Sequence, residues 1–137
     1  MIERSMTMTK RKELWEAWLT DLESGEFHQT REKLFNGKKG RGAGYCCLGV
    51  LCVTSNRLGA VTAIDLDDTV YYSDILPGRL AKKLNISTIG EFKQSVQYKD
   101  RQYKSLSELN DGGHARFKTI ARIIREQRAA DNFSPYS

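Results

Sequence analysis

The chain has 137 residues, 22 of them basic and 17 acidic, for a formal charge of +5. That length fits one domain able to bury a modest core without metals or disulfides, and the mild positive field favours anionic partners without choosing among nucleotides, phosphates and nucleic acid. The longest apolar run, Leu48 to Val53, falls far short of the roughly 18 to 20 residues that span a bilayer, so no membrane partner is expected.

Met1 to Lys12 mixes charges with threonine and methionine and has no apolar core before a small-residue cleavage site, which predicts no secretory signal. The first helix is predicted from about Lys10 to Ser24, because Leu14, Trp15, Trp18, Leu19 and Leu22 form one apolar stripe, and Gly25 follows as its C′ residue. Phe27 to Phe35 is less periodic and fits either a short strand or a ragged connection. Asn36-Gly37 signals a turn, and the basic, glycine-rich loop Lys38-Lys39-Gly40-Arg41-Gly42-Ala43-Gly44 comes next.

Tyr45-Cys46-Cys47-Leu48-Gly49-Val50-Leu51-Cys52 holds all three cysteines. An odd, crowded set makes a poor disulfide framework and points to a reducing cytoplasm. Cys47, Leu48, Leu51 and Cys52 recur at near-helical spacing, predicting a buried helix from Cys46 to about Arg57, although Val50 and Val53 also suit a strand. Ala60 to Ile75 has the form of a β-hairpin around Asp65-Leu66-Asp67-Asp68, and Pro77 opens a helix carrying Leu80, Ala81 and Leu84. A second hairpin is predicted from Phe92–Val96 and Gln102–Leu106. Ser105 and Glu108 are spaced as a capping box for a single helical turn through Leu109. Asn110-Asp111-Gly112-Gly113 then breaks the chain before a last helix with Phe117, Ile120, Ala121 and Ile124 on its apolar face. These elements predict a single compact α+β domain over 1–137, with the first, cysteine-rich and last helices packed on a small antiparallel sheet of hairpins, and with 1–9 and 130–137 flexible.

The chemistry-bearing residues exclude more than they assign. The cysteines form no Cys-x-x-Cys pair, and the only histidines, His28 and His114, lie far away, so a zinc site is not expected. Cys46, at a helix start beside Arg41, has an electropositive setting for a catalytic thiol but no adjacent base, and a packed core cysteine is the simpler reading. Asp65, Asp67 and Asp68 lack the other ligands of a calcium loop. No set of acid, base and nucleophile can be assembled, so an enzyme is not the expectation and no cofactor is implied. The glycine loop lacks the endings of a P-loop or a dinucleotide fingerprint. It suits either a phosphate cradle before a helix N-terminus or a solvated hairpin tip. Lys118, Arg122, Arg125 and Arg116 form a basic stripe on the last helix, and Tyr71, Tyr72, Tyr98 and Tyr103 could stack a base.

Trp15, the Ser24-Gly25 exit followed by Phe27 and Gln29, the block from Tyr45 to Cys52, Leu76-Pro77, and Leu109-Asn110-Asp111 before Phe117 together resemble a family of small tailed-bacteriophage proteins. That family carries no settled activity. Its pattern commonly has an aspartate after the third cysteine, where this chain has Val53, so no acidic role attaches to that position. The resemblance implies a phage accessory protein acting in the cytoplasm of an infected bacterium. In that setting the expected function is non-enzymatic sequestration of a small phosphorylated, nucleotide-derived ligand, such as a host defence signal. Gln29, Lys39, Arg41, the backbone N–H groups of Tyr45 and Cys46, and Asn110 with Asp111 would form the site, with a homodimer closing the pocket. Nucleic-acid binding ranks second, because acidic residues interleave the basic ones. Inhibition of a host enzyme through a protein–protein contact is the third reading.

Overall fold

The stripe of Leu14, Trp15, Trp18, Leu19 and Leu22 is buried along the first helix, and the rest of the fold is arranged around it. The computed structural model describes residues 8–31, 33–36, 44–60 and 75–137. The elements are α1 (Met8–Glu23), β1 (Phe35–Asn36), β2 (Gly44–Tyr45), α2 (Cys47–Arg57), α3 (Gly78–Leu84), β3 (Glu91–Tyr98), β4 (Arg101–Ser105), α4 (Leu106–Gly112) and α5 (Phe117–Ala129). This is the compact α+β domain expected from the sequence. The hairpin predicted over Ala60–Ile75 and the basic loop, with Lys39 and Arg41, fall largely outside the described residues.

Helix α1 packs on both α2 and α5. Gly25, at φ 78°, takes the left-handed conformation that ends it. Trp18 is fully buried and donates its indole N–H to the Cys47 carbonyl at 2.9 Å, so the largest core side chain leaves no polar atom unpaired. A second tie between the same helices is polar. Asp21 accepts from the Thr54 hydroxyl and pairs with the Arg57 guanidinium at 3.0 Å.

Helix α2 is apolar nearly all round, burying Cys47, Leu48, Gly49, Val50, Leu51 and Cys52 together with Thr54 and Ser55. Such a helix must be covered on every side. One cover is the chain at Leu34, which crosses so close to Gly49 that a Cβ there would lie 2.0 Å from the Leu34 carbonyl oxygen. Ser55 returns its hydroxyl to the carbonyl one turn back, at Leu51, and the Thr54 hydroxyl, whose one proton goes to Asp21, lies 2.9 Å from the Val50 carbonyl.

β3 and β4 form an antiparallel hairpin turning at Lys99-Asp100, with Lys99 at φ 56°. A bulge separates the Glu91–Ser105 and Val96–Tyr103 pairs. Phe92, Val96 and Tyr103 face inward, and α4 packs on both strands.

Two local expectations change. The capping box forms, with the Ser105 hydroxyl accepting from the Glu108 N–H at 3.1 Å, but α4 runs on through Gly112. Asn110 and Asp111 therefore belong to a helix, and the break is the turn at Gly113–His114, where His114 has φ 56°. The tail expected to be loose at 130–137 is tied down instead. The Lys93 N–H donates to the Asn132 carbonyl at 2.8 Å, and the Ser134 N–H donates to the Glu91 carbonyl at 2.9 Å. Phe133 is buried against Trp15 and Phe92, with ring centroids 5.5 and 5.3 Å away. One aromatic ring thus anchors the tail along the edge of β3.

Candidate functional site

Helix α4 starts at a fixed point, its Ser105 cap, so positions 106, 109 and 110 share the inward face. Leu106 and Leu109 there are apolar, but Asn110 is an amide and is fully buried. Burying it requires partners for two donors and an acceptor. One amide N–H of Asn110 donates to the Thr30 carbonyl at 2.9 Å and the other to Asp111 Oδ1 at 3.0 Å. Its oxygen accepts from Gln29 Nε2 at 3.0 Å and from the Cys47 N–H at 3.2 Å. Gln29 also donates to the Ala115 carbonyl at 2.8 Å. Asn110 and Gln29 together thereby join the 27–31 segment, the start of α2, α4 and the turn before α5.

The same junction holds β2. Its Tyr45 lies between two neighbouring segments, paired antiparallel with Phe35 and bridged in parallel to Gln29. The Tyr45 N–H donates to the His28 carbonyl and its carbonyl accepts from the Thr30 N–H, both at 2.7 Å. The Tyr45 ring is half-buried, edge-on to Phe27 and to Phe35, with both centroids 5.3 Å away. Residues 37–43, which include Lys39 and Arg41, join β1 to β2. The connection therefore leaves from and returns to this corner.

Five residues singled out from the sequence, Gln29, Tyr45, Cys46, Asn110 and Asp111, accordingly meet around one junction. Their hydrogen bonds alter the role expected of the backbone. The Cys46 N–H donates to the Leu34 carbonyl at 3.1 Å, the Cys47 N–H to Asn110, and the Gly49 N–H to Cys46 Sγ at 3.4 Å. The donors that usually make a helix N-terminus attract anions are engaged inside the protein. The N–H groups of Tyr45 and Cys46 thus do not present themselves to a phosphate, because two nearby carbonyls and an amide cap the helix instead.

The thiols are equally enclosed. Burial pushes Cys46 up from its ordinary 9.0 to about 12, against a partial offset from the Gly49 and Leu48 N–H groups. Cys47 and Cys52, both fully buried, are raised for the same first reason, with neighbouring negative charge adding to it. At neutral pH all three are protonated, and a protonated thiol is a poor nucleophile and metal ligand. Among the described residues no three His, Cys, Asp or Glu side chains gather closely enough to hold a metal ion.

The basic stripe of α5 is partly neutralised. Arg125 bridges Glu16 and Glu23 of α1 at 3.0 Å each, Arg122 pairs with Glu126 at 3.5 Å, and Arg128 stacks 4.8 Å over the Trp15 ring. Glu16, Arg125 and Arg128 line a groove between α1 and α5 with Leu19 and Ala129. Tyr98 and Tyr103 approach each other at 6.4 Å, and Lys99 and Arg101 already lie over their rings. A feature that the apolar periodicity did not bring out is the basic start of α1. Arg11 donates through Nε to the Lys83 carbonyl of α3 at 2.8 Å, so the basic start of α1, Lys10 to Lys12, meets a short helix that carries Arg79, Lys82 and Lys83. The sequence signal for it is a helix whose first turn contains no acidic residue.

No helix among the described residues is long and apolar enough to cross a membrane. No curated protein and no solved structure matches the chain. One family model does, over residues 10–128, from the first turn of α1 to the last turn of α5. That span holds α2, the Asn110 junction and the β3–β4 hairpin, and the chain belongs to the family described as a domain of unknown function, DUF8296.

Proposed function

We propose that the chain is a non-enzymatic binding protein for a small phosphorylated, nucleotide-derived ligand, held by the cations of the 37–43 connection at the corner formed by Gln29, Tyr45, Asn110 and Asp111. The observation that carries this reading is the Asn110 junction. It braces β2 from three directions, so a short segment with Lys38, Lys39 and Arg41 leaves from and returns to a fixed base. A braced base lowers the entropic cost of ordering a cationic loop around a phosphate. The half-buried Tyr45 ring offers a flat surface nearby, and the protonated thiols favour non-covalent binding over covalent chemistry.

Gln29 and Asn110 act in this reading as braces, and Lys39 and Arg41 as the groups that meet charge. In the phage setting that the resemblance implies, the ligand would be a host signalling nucleotide and binding would be sequestration, with a second copy of the chain closing the pocket. The test is to purify the protein from bacteria, release any bound small molecule by heat, and measure thermal shifts with a panel of cyclic and ADP-ribose nucleotides. A shift that disappears in Lys39→Ala/Arg41→Ala is expected. Absence of any released ligand together with no shift across the panel would overturn the proposal.

A further inference from the structure

The start of α1 and the exposed face of α3 are brought together by tertiary packing, and both are basic. Lys10 and Lys12 are exposed on α1, with Arg11 between them half-buried and bonded to the Lys83 carbonyl at 2.8 Å. On α3, Arg79, Lys82 and Lys83 are spaced i, i+3 and i+4, which puts three cations on one face of a short helix. No acidic residue occurs from Met8 to Lys12 or from Ile75 to Ile86, so the two stretches joined by that bond are basic throughout; Lys10 and Arg79 make other contacts, which leaves Arg11, Lys12, Lys82 and Lys83 as the charges of this face.

This arrangement works against local stability. Positive charge in the first turn of α1 opposes the helix dipole and Arg79 and Lys83 repel at i, i+4, although Lys82 and Lys83 themselves lie in the last turn of α3, where cations suit the dipole. A helix start normally favours Asp or Glu there, and α1 has none in its first turn. Departures from local preference that concentrate one sign of charge on one surface are expected where that charge has a use. We infer that the α1–α3 face is a docking surface for the phosphodiester backbone of a nucleic acid, separate from the glycine-loop corner and independent of the ligand proposed there.

Two observations favour that partner. The cations are spread over two helices, which suits a polyanion with regularly repeated phosphates better than a ligand with one or two. The apolar residues of both helices, Leu14 and Trp15 on α1 and Leu80, Ala81 and Leu84 on α3, are turned into the core. The face therefore offers charge without the apolar wedge that a membrane-surface helix inserts.

The test uses the whole protein, a short labelled DNA duplex and a matching RNA strand, with anisotropy followed between about 50 and 200 mM salt. Binding that weakens steeply with salt is expected. Lys12→Glu/Lys82→Glu should bind at least about ten-fold more weakly, with a log–log salt slope shallower by about 2, since each lost phosphate contact removes about 0.9. Both positions are exposed, where substitutions shift stability little, so unfolding midpoints should stay close to wild type while binding falls. Lys39→Ala/Arg41→Ala should leave oligonucleotide affinity unchanged. Unaltered affinity in Lys12→Glu/Lys82→Glu, loss of affinity in the loop variant instead, binding to phosphatidylserine vesicles but not to nucleic acid, or no binding to either at the lowest salt would each overturn the inference.

Discussion

Gly49→Ala adds one methyl group to the most enclosed helix of the fold. The new Cβ would lie 2.0 Å from the Leu34 oxygen and 2.9 Å from its carbonyl carbon, whereas real Cβ contacts essentially never fall under 3.0 Å. Relief therefore requires one backbone to move by about 1 Å. Neither has room, since Leu34, Cys47 and Leu48 are all fully buried. The Leu34 oxygen also accepts from the Cys46 N–H at 3.1 Å, so moving it loosens the cap of α2 and the Phe35–Tyr45 pair beside it. Overpacking costs about 1–3 kcal/mol, and leaving the buried N–H unpaired about 1–3 more. Alanine's higher helix propensity returns only about 1. The net expectation is a loss of about 1–5 kcal/mol, a large share of the roughly 5–15 kcal/mol that stabilises a small domain. Urea unfolding followed by tryptophan fluorescence reads it directly. Gly112→Ala is the matched control, because Gly112 ends α4 with nothing within 4 Å of an added Cβ, and it should be neutral or slightly stabilising. If Gly49→Ala unfolds at the same urea concentration as wild type, the close approach of Leu34 to α2 is wrong and so is the explanation of the glycine.

Asn110→Ala should destabilise by roughly 1–3 kcal/mol in the same urea assay, because it strands the buried Cys47 N–H and such an orphan costs about that much; a loss under about 0.5 kcal/mol would show that the junction is not a brace. The thiols should make the fold sensitive to base. Their folded pKa values lie above the unfolded ones, so their contribution is complete below pH 9.0 and fades as the pH rises above it, for Cys46 towards about 12. A chromogenic aryl disulfide at neutral pH should react with three thiols at once in urea but only slowly in the native protein; rapid native reaction of Cys46 would contradict its burial.

Sequence and structure part company where a residue's role depends on a distant carbonyl. The stripe of α1, its exit at Gly25, the capping box at Ser105 and Glu108 and the apolar face of α5 rest on contacts within a few residues, and periodicity exposes them. Gln29, Tyr45, Cys46, Asn110 and Asp111 were recognisable as residues that could share a site, and they do share a corner. Their bonding could not be read, because the partners that occupy them, the carbonyls of His28, Thr30, Leu34 and Ala115, have no side-chain signature. The paired glycines after Asp111 look like a break. Yet a Cβ at Gly113 would lie 2.6 Å from the Leu109 oxygen, so that glycine lets the chain turn tightly against the end of a helix that continues through Gly112. The tail misleads in the opposite direction. A short, mostly polar end reads as loose because its anchor, Phe133 between Trp15 and Phe92, exists only after α1 and β3 have come together. The apparent single motif from Tyr45 to Cys52 divides by the same logic. Its cysteines and Gly49 are fixed by what packs on them, and Tyr45 alone keeps a half-buried ring at the corner where the cationic connection begins. Substitutions in the helical part should therefore register first in stability, and substitutions in the connection should register first in binding.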